Sequence, residues 1–222
     1  MVFIQKWGLA LLGLFCLNFG FAQQTETKED FPYSNRFSLV SGVSQALLGG
    51  ANLEATWYSK RMSFDYSHGW NLQFTEGTLT EADLNQGLNI RMPWTTGFGV
   101  GYRITKYFDV RLEPKLHRYE LYYDGQNFSG DPITQYTTAT LGIGLYYRYY
   151  PFRKRNDWSQ GIVIVPNARF WPNIWSSLPN NEYTYTNANT EALATHQAGR
   201  QGIPGTGGFF MNVSIGYTFG GK

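Results

Sequence analysis

The chain is 222 residues long, carries a formal net charge of +2, and contains 18% aromatic residues, 25 glycines and a single cysteine. That length suits one domain or two small ones, and the near balance of charge excludes the strongly basic or acidic surface of a nucleic-acid or polyanion binder. One cysteine excludes an intramolecular disulfide and a multi-thiolate metal centre.

Taken in order, residues 1–22 read as a secretory signal peptide. Lys6 supplies the positive start, 7–17 is an apolar core too short to span a bilayer as a stable helix, and Gly20 and Ala22 are the small residues before a cleavage site at Gln23. Cys16 lies inside that core and follows Phe15, not the small residue a lipoprotein signal needs, so the exported chain is expected to lack cysteine. Residues 23–35 are a polar lead-in, and 36–222 carry the folded domain.

Residues 36–43 set Phe37, Leu39 and Val43 opposite Arg36, Ser38 and Gly42. Residues 44–48 either approach a turn at Gly49-Gly50 or form a short helix. Residues 51–58 set Ala51, Leu53, Ala55 and Trp57 opposite Asn52, Glu54 and Thr56. Residues 62–70 set Met62, Phe64, Tyr66 and Trp70 opposite Ser63, Asp65, Ser67 and Gly69. A period of two marks a strand with one apolar and one polar face.

Residues 71–94 break the pattern and read as a long polar connection with a short helix near 80–88. Residues 95–104 resume it, with Phe98, Val100, Tyr102 and Ile104 opposite Gly97, Gly99, Gly101 and Arg103. Residues 107–123 are the longest predicted strand. Phe108, Val110, Leu112 and Leu116 face one way, and Asp109, Arg111, Glu113 and Lys115 the other. Near His117 the apolar set passes to Tyr119, Leu121 and Tyr123, as a bulge or a strand rising above a membrane would produce. Residues 124–135 are a loop, 136–150 a strand, 151–160 a charged turn and 161–171 a strand with Asn167 and Arg169 on its polar side. Residues 176–208 are a long loop rich in Asn, Thr, Tyr and Gly. The last strand, 209–219, sets Phe209, Met211, Val213, Ile215, Tyr217 and Phe219 against Asn212, Ser214, Gly216 and Thr218.

These are eight strands, about the length a tilted strand needs to cross a bilayer. Short connections at 59–60, 105–106 and 151–160 alternate with long ones at 71–94, 124–135 and 176–208. No stretch is apolar and long enough for a membrane helix, so a membrane position would need a closed barrel that pairs every backbone amide. The fold class expected is all-β: a transmembrane antiparallel up-and-down β-barrel of eight strands. The glycines lie on the polar face, as room for large side chains in a narrow interior requires. That face is therefore expected to line the lumen with Glu54, Asp65, Arg103, Asp109, Arg111, Glu113, Lys115, Arg148 and Arg169, filling it rather than leaving a pore. Trp57, Tyr102, Tyr107, Tyr217 and Phe219 at the short-turn end, and Trp70, Trp94 and Trp171 at the other, are expected as interface aromatics, with Tyr119 among them.

The chemistry-bearing residues are few. His68, beside Trp70, is expected to be interfacial, His117 to face the lumen or upper wall, and His196 to sit in the last long loop without a ligand set. Residues 97–101 do not follow a strand to open a helix, so they are barrel lining, not a nucleotide loop. No cofactor, metal or nucleic-acid partner is expected.

The terminal aromatic Phe219 on an alternating strand resembles the C-terminal signature of bacterial outer-membrane barrels, although Gly220, Gly221 and Lys222 follow it. From Gln23 onward the chain resembles the small outer-membrane β-barrel proteins of Gram-negative bacteria. The resemblance implies an outer-membrane location and a non-enzymatic structural or interaction role. Its external loops would meet a protein partner, ligand or surface, as an accessory subunit of a larger envelope complex would. The alternatives are a lipid-modifying enzyme or a narrow small-solute channel. Residues 66–70 resemble the His-x-Ser motif of outer-membrane lipid A deacylases, but Trp70 stands at the nucleophile position.

Overall fold

The structure is a computed structural model that describes residues 35–75, 85–198 and 208–220. The signal-peptide and lead-in expectations fall outside the described residues, apart from Asn35. In chain order the elements are β1 (Arg36–Gly42), helix α1 (Val43–Leu47), β2 (Ala51–Ser59), β3 (Met62–Phe74), β4 (Leu88–Arg103), β5 (Phe108–Tyr123), β6 (Thr134–Tyr147), β7 (Ile162–Phe170), β8 (Asn173–Ser176), β9 (Glu182–Thr186), β10 (Leu193–Gln197) and β11 (Phe209–Phe219).

Eight of these strands close into an antiparallel barrel. β1 through β7 pair in sequence, β7 pairs with β11, and β11 returns to β1 with Phe37 opposite Phe219. Closure leaves the ring without an edge strand. The turns β2–β3 and β4–β5 and both chain ends of the barrel lie at one end, here called the turn end. The longer β6–β7 connection, 148–161, lies at that end too, and α1 with the β3–β4, β5–β6 and β7–β11 connections lies at the other, the loop end.

Strands run further toward the loop end than the sequence pattern predicts. β3 continues to Phe74 and β4 begins at Leu88, so much of the expected polar connection at 71–94 is wall. Of the expected helix at 80–88, residues 80–84 lie outside the described residues, 85–87 form a turn and Leu88 opens β4. The stretch 176–208 is not a plain loop. β8 extends the line of β7 along β6, and β9 and β10 form a separate hairpin.

The predicted slip near His117 is absent from β5. Its inward positions run without interruption from Asp109, Arg111, Glu113, Lys115 and His117 to Tyr119 and Leu121, and its register with β6 is unbroken from Phe108↔Tyr147 to Leu121↔Thr134. What changes at His117 is the chemistry of the inward face. The slips occur in its neighbours. β3 passes from inward Gly69 to inward Leu72 across Asn71, whose φ is 53°. β4 carries one extra residue against β5 between Arg91 and Trp94, at Pro93. A bulge is where a strand tolerates a proline, because a ladder bond is already lost there.

The barrel thus has two tiers. From the turn end to the level of Leu116, outward residues are mostly apolar, including Phe64, Phe98, Val100, Leu112, Ile143 and Ile215, while inward ones are mostly polar or charged, with a small apolar cluster of Val40, Val163 and Val165 against Tyr146. Above that level the order reverses. Leu72, Phe74, Leu88, Ile90, Met92, Tyr119, Leu121 and Tyr136 form an internal apolar core, and Arg91 and Glu120 pair on the outside at 3.4 Å.

Backbone proximity constrains one small residue strongly. A Cβ on Gly216 would press into the Leu39 carbonyl of the adjoining β1 strand. Gly216→Ala is expected to destabilise the barrel by about 1–3 kcal/mol, the cost of overpacking where backbone must move. Gly130, with nothing nearer than 3.7 Å to an added Cβ, should accept Ala within about 0.5 kcal/mol. Urea unfolding midpoints in detergent check both.

Candidate functional site

Most of the lower tier is occupied by one charge network, beside the cluster of Val40, Val163 and Val165. Arg111, 1% exposed, lies at its centre. Its Nη1 meets Glu54 Oε1 at 2.7 Å and Asp65 Oδ2 at 3.1 Å, its Nε meets Asp109 Oδ2 at 2.6 Å, and its Nη2 donates to the Tyr58 hydroxyl at 3.2 Å. The guanidinium also lies 3.7 Å from the centre of the Tyr146 ring. Only a planar fork of donors can address three carboxylates in this way. β5 supplies Arg111 and Asp109, β2 supplies Glu54 and β3 supplies Asp65, so the network ties distant parts of the wall together.

Arg148 pairs with the other oxygen of Asp109, and Arg169 Nη2 with Glu54 Oε2 at 3.0 Å. Arg103 Nη1 donates to the Lys60 carbonyl at 2.7 Å, fastening the β2–β3 turn. Glu113 accepts from the Tyr146 hydroxyl at 2.5 Å and from Trp171 Nε1 at 3.1 Å, with Lys115 Nζ at 3.9 Å from its Oε1. The nine sequence-predicted lumen charges are all inside the barrel.

Trp171 is inside as well. It was expected among the interface aromatics, but it is buried, hydrogen-bonded to Glu113 and faced by Lys115 and Arg169. The reason is parity. Trp171 is two residues beyond Arg169 on the same strand line, so both point inward, and Gly142 leaves the space its ring occupies. Tyr119 is likewise interior, stacked on Tyr136 at 5.1 Å. Of the other aromatics, Trp57, Trp70, Tyr102 and Phe219 are exposed on the outer face. Trp94 lies opposite Trp70 in the β3–β4 register, Tyr107 contacts Tyr147 and Tyr217 contacts Phe219. Tyr58 and Tyr146, both buried in the network, were the residues sequence reading missed. Their even-numbered places beside Thr56 and Arg148 were the available signal.

Above the network sits His117, 0% exposed, with Nδ1 2.8 Å from Thr95 Oγ1 and Nε2 2.9 Å from Thr140 Oγ1. A hydroxyl is therefore within reach of a histidine, the minimum an enzyme reading needs. Both ring nitrogens are engaged, however, and the ring is sealed from the surface, so the contacts orient it. His68 lies on the outer face against Trp70, ring centres 4.6 Å apart. No grouping of three metal-ligating side chains occurs among the described residues.

The loop end is capped by the β9–β10 hairpin. Tyr185 donates to the Gln86 carbonyl at 2.7 Å and Tyr183 to the Ile133 carbonyl at 3.2 Å. Burial pushes the Tyr185 phenol above its ordinary pKa, keeping it a donor. His196, expected in an open loop, is buried between the Tyr136 hydroxyl at 2.9 Å and Gln86 Oε1 at 3.0 Å.

Replacing Arg111 by Met would leave three carboxylates without their shared cation. Arg111→Met is expected to destabilise the barrel by about 3–5 kcal/mol, the cost of stranding buried charge. Arg111→Lys, which keeps the charge but not the fork, should fall between it and the parent. Urea unfolding in detergent measures both, and a variant Arg111→Met as stable as the parent would contradict the assignment. In sequence comparison the chain matches no protein-family model and no curated protein, so the functional reading rests on the geometry alone.

Proposed function

We propose that the protein is an outer-membrane β-barrel with a structural or interaction role, its interior filled rather than conducting. It stands in the bilayer on its lower tier and presents its loop end to a protein partner or surface outside. The observation that carries this reading is the reversal of polarity at one height. Apolar side chains face out and charges face in below Leu116, and the opposite holds above it.

In water, a wall that exposed Phe98, Ile143 and Leu112 while burying nine charges would be unfavourable on both faces. In lipid each term changes sign. A charge turned outward at mid-bilayer costs about 2–4 kcal/mol, so the inward network becomes the cheaper arrangement. The outward apolar run on β5, from Phe108 to Leu116, spans about 27 Å along the strand. At a tilt of about 40° this is a band about 20 Å tall, close to that of outer-membrane barrels.

A filled interior follows from strand number. Eight strands leave just enough space for side chains, and here Arg111 with its partners occupies the lower tier while the hairpin covers the upper. Leu193 remains exposed on the cap, and Ile174 and Trp175 on the adjoining β8 edge, apolar surface that suits a protein contact.

The test uses single cysteines in a Cys16-free leaderless chain refolded into lipid vesicles. A lipid-soluble maleimide is expected to label Val110→Cys and to spare the neighbouring Arg111→Cys. Vesicles carrying the parent protein should release small entrapped solutes no faster than empty ones. Labelling at 111 rather than 110 would reverse the faces, and rapid solute release would replace the filled barrel with a channel.

A further inference from the structure

Between the charge network and the apolar upper core lies a cavity of about 30 Å³. That is room for about two water-sized particles. Its chemistry is one-sided. Lys115 and Arg169 line it with cationic groups, Gln45, Asn52, Ser67 and Thr95 add neutral polar ones, and none of its lining residues is acidic.

The side-chain amide acceptors on this lining each already hold a hydrogen bond. Asn52 Oδ1 accepts from the Gly42 amide at 2.6 Å, and Gln45 Oε1 from Ser44 Oγ at 3.2 Å and Asn212 Nδ2 at 3.4 Å. Both carboxamides keep their N–H donors. Ser67 Oγ accepts from Lys115.

The donors are not fully used. Arg169 is 3% exposed, and its Nε has no hydrogen-bond partner among the described residues. Lys115 has three N–H donors. It spends one on Ser67, and the carboxylate it faces, Glu113, is 3.9 Å away. The charge count agrees. Among the described residues the interior holds five cationic side chains, Arg103, Arg111, Lys115, Arg148 and Arg169, against four carboxylates, Glu54, Asp65, Asp109 and Glu113. Two of those cationic groups, Lys115 and Arg169, line the cavity, and Lys115 reaches its carboxylate only at 3.9 Å, with the Trp171 ring 4.9 Å away. A buried charge without a counterion is costly.

We propose that this cavity binds one halide-sized monovalent anion, chloride in the cell, held by Lys115 Nζ and Arg169 Nε. The anion neutralises the interior and completes the plug.

Bromide is the probe. Crystals of the parent barrel grown with bromide in place of chloride should show an anomalous peak in the cavity, within hydrogen-bond reach of Lys115 and Arg169. Lys115→Met should lose that peak. Ordered water alone in the parent, or an undiminished peak in the variant, would overturn the proposal. Should Lys115→Met fail to fold, the parent alone decides. Its urea midpoint should rise with chloride and stay flat with gluconate, which is too large to enter, at matched ionic strength. Equal midpoints in the two salts would refute anion binding.

Discussion

Arg111 stands where Glu54, Asp65 and Asp109 converge, and much of the molecule is arranged so that it can. The three carboxylates come from three strands and meet at the guanidinium, which also bonds the Tyr58 hydroxyl and lies over the Tyr146 ring. Ion pairs this deep are not strong stabilisers in themselves. Their value lies in the alternative: a chain carrying these charges on strands with apolar outer faces has nowhere else to put them. Glycines on β4 and β6 make room, and parity brings Trp171 in to satisfy Glu113.

The network also accounts for the level at which the barrel changes character. Up to Leu116 the inward residues of β5 are charged. From Tyr119 on they are aromatic and aliphatic, although the strand's phase never alters. A single continuous strand therefore faces two different surroundings on its outer side, in the account proposed here lipid below and water above. The neighbouring strands reach the same reversal by another route, a left-handed Asn71 in β3 and the Pro93 bulge in β4. That different local devices converge on one height argues for an external constraint on the wall rather than an accident of one strand.

The barrel was legible in the sequence because period-two alternation is local and repeats eight times. So was the inward set of charges, since Asp109, Arg111, Glu113 and Lys115 share one parity. The upper tier was not. There the apolar residues face inward, so 71–74 and 88–94, read against the lower-tier rule, looked like a break instead of a wall. The cap at 182–197 was also missed, because a short hairpin packed by Tyr185 and His196 depends on contacts with Gln86 and Tyr136, about 60–110 residues away in sequence and invisible to any local pattern. Trp171 illustrates a different error: its residue type suggested an interface, while its parity with Arg169 already pointed inward.

The central claim is that one height on the wall separates lipid from water, and outward residues of β5 sample both sides of it on the same strand face. Spin labels placed singly at Leu112, Leu116, Arg118 and Glu120 of the protein in lipid vesicles measure this directly by their relative accessibility to oxygen and to a water-soluble nickel reagent. The account predicts oxygen dominance at 112 and 116 and nickel dominance at 118 and 120. Uniform accessibility along the row, or nickel dominance at 112, would contradict it.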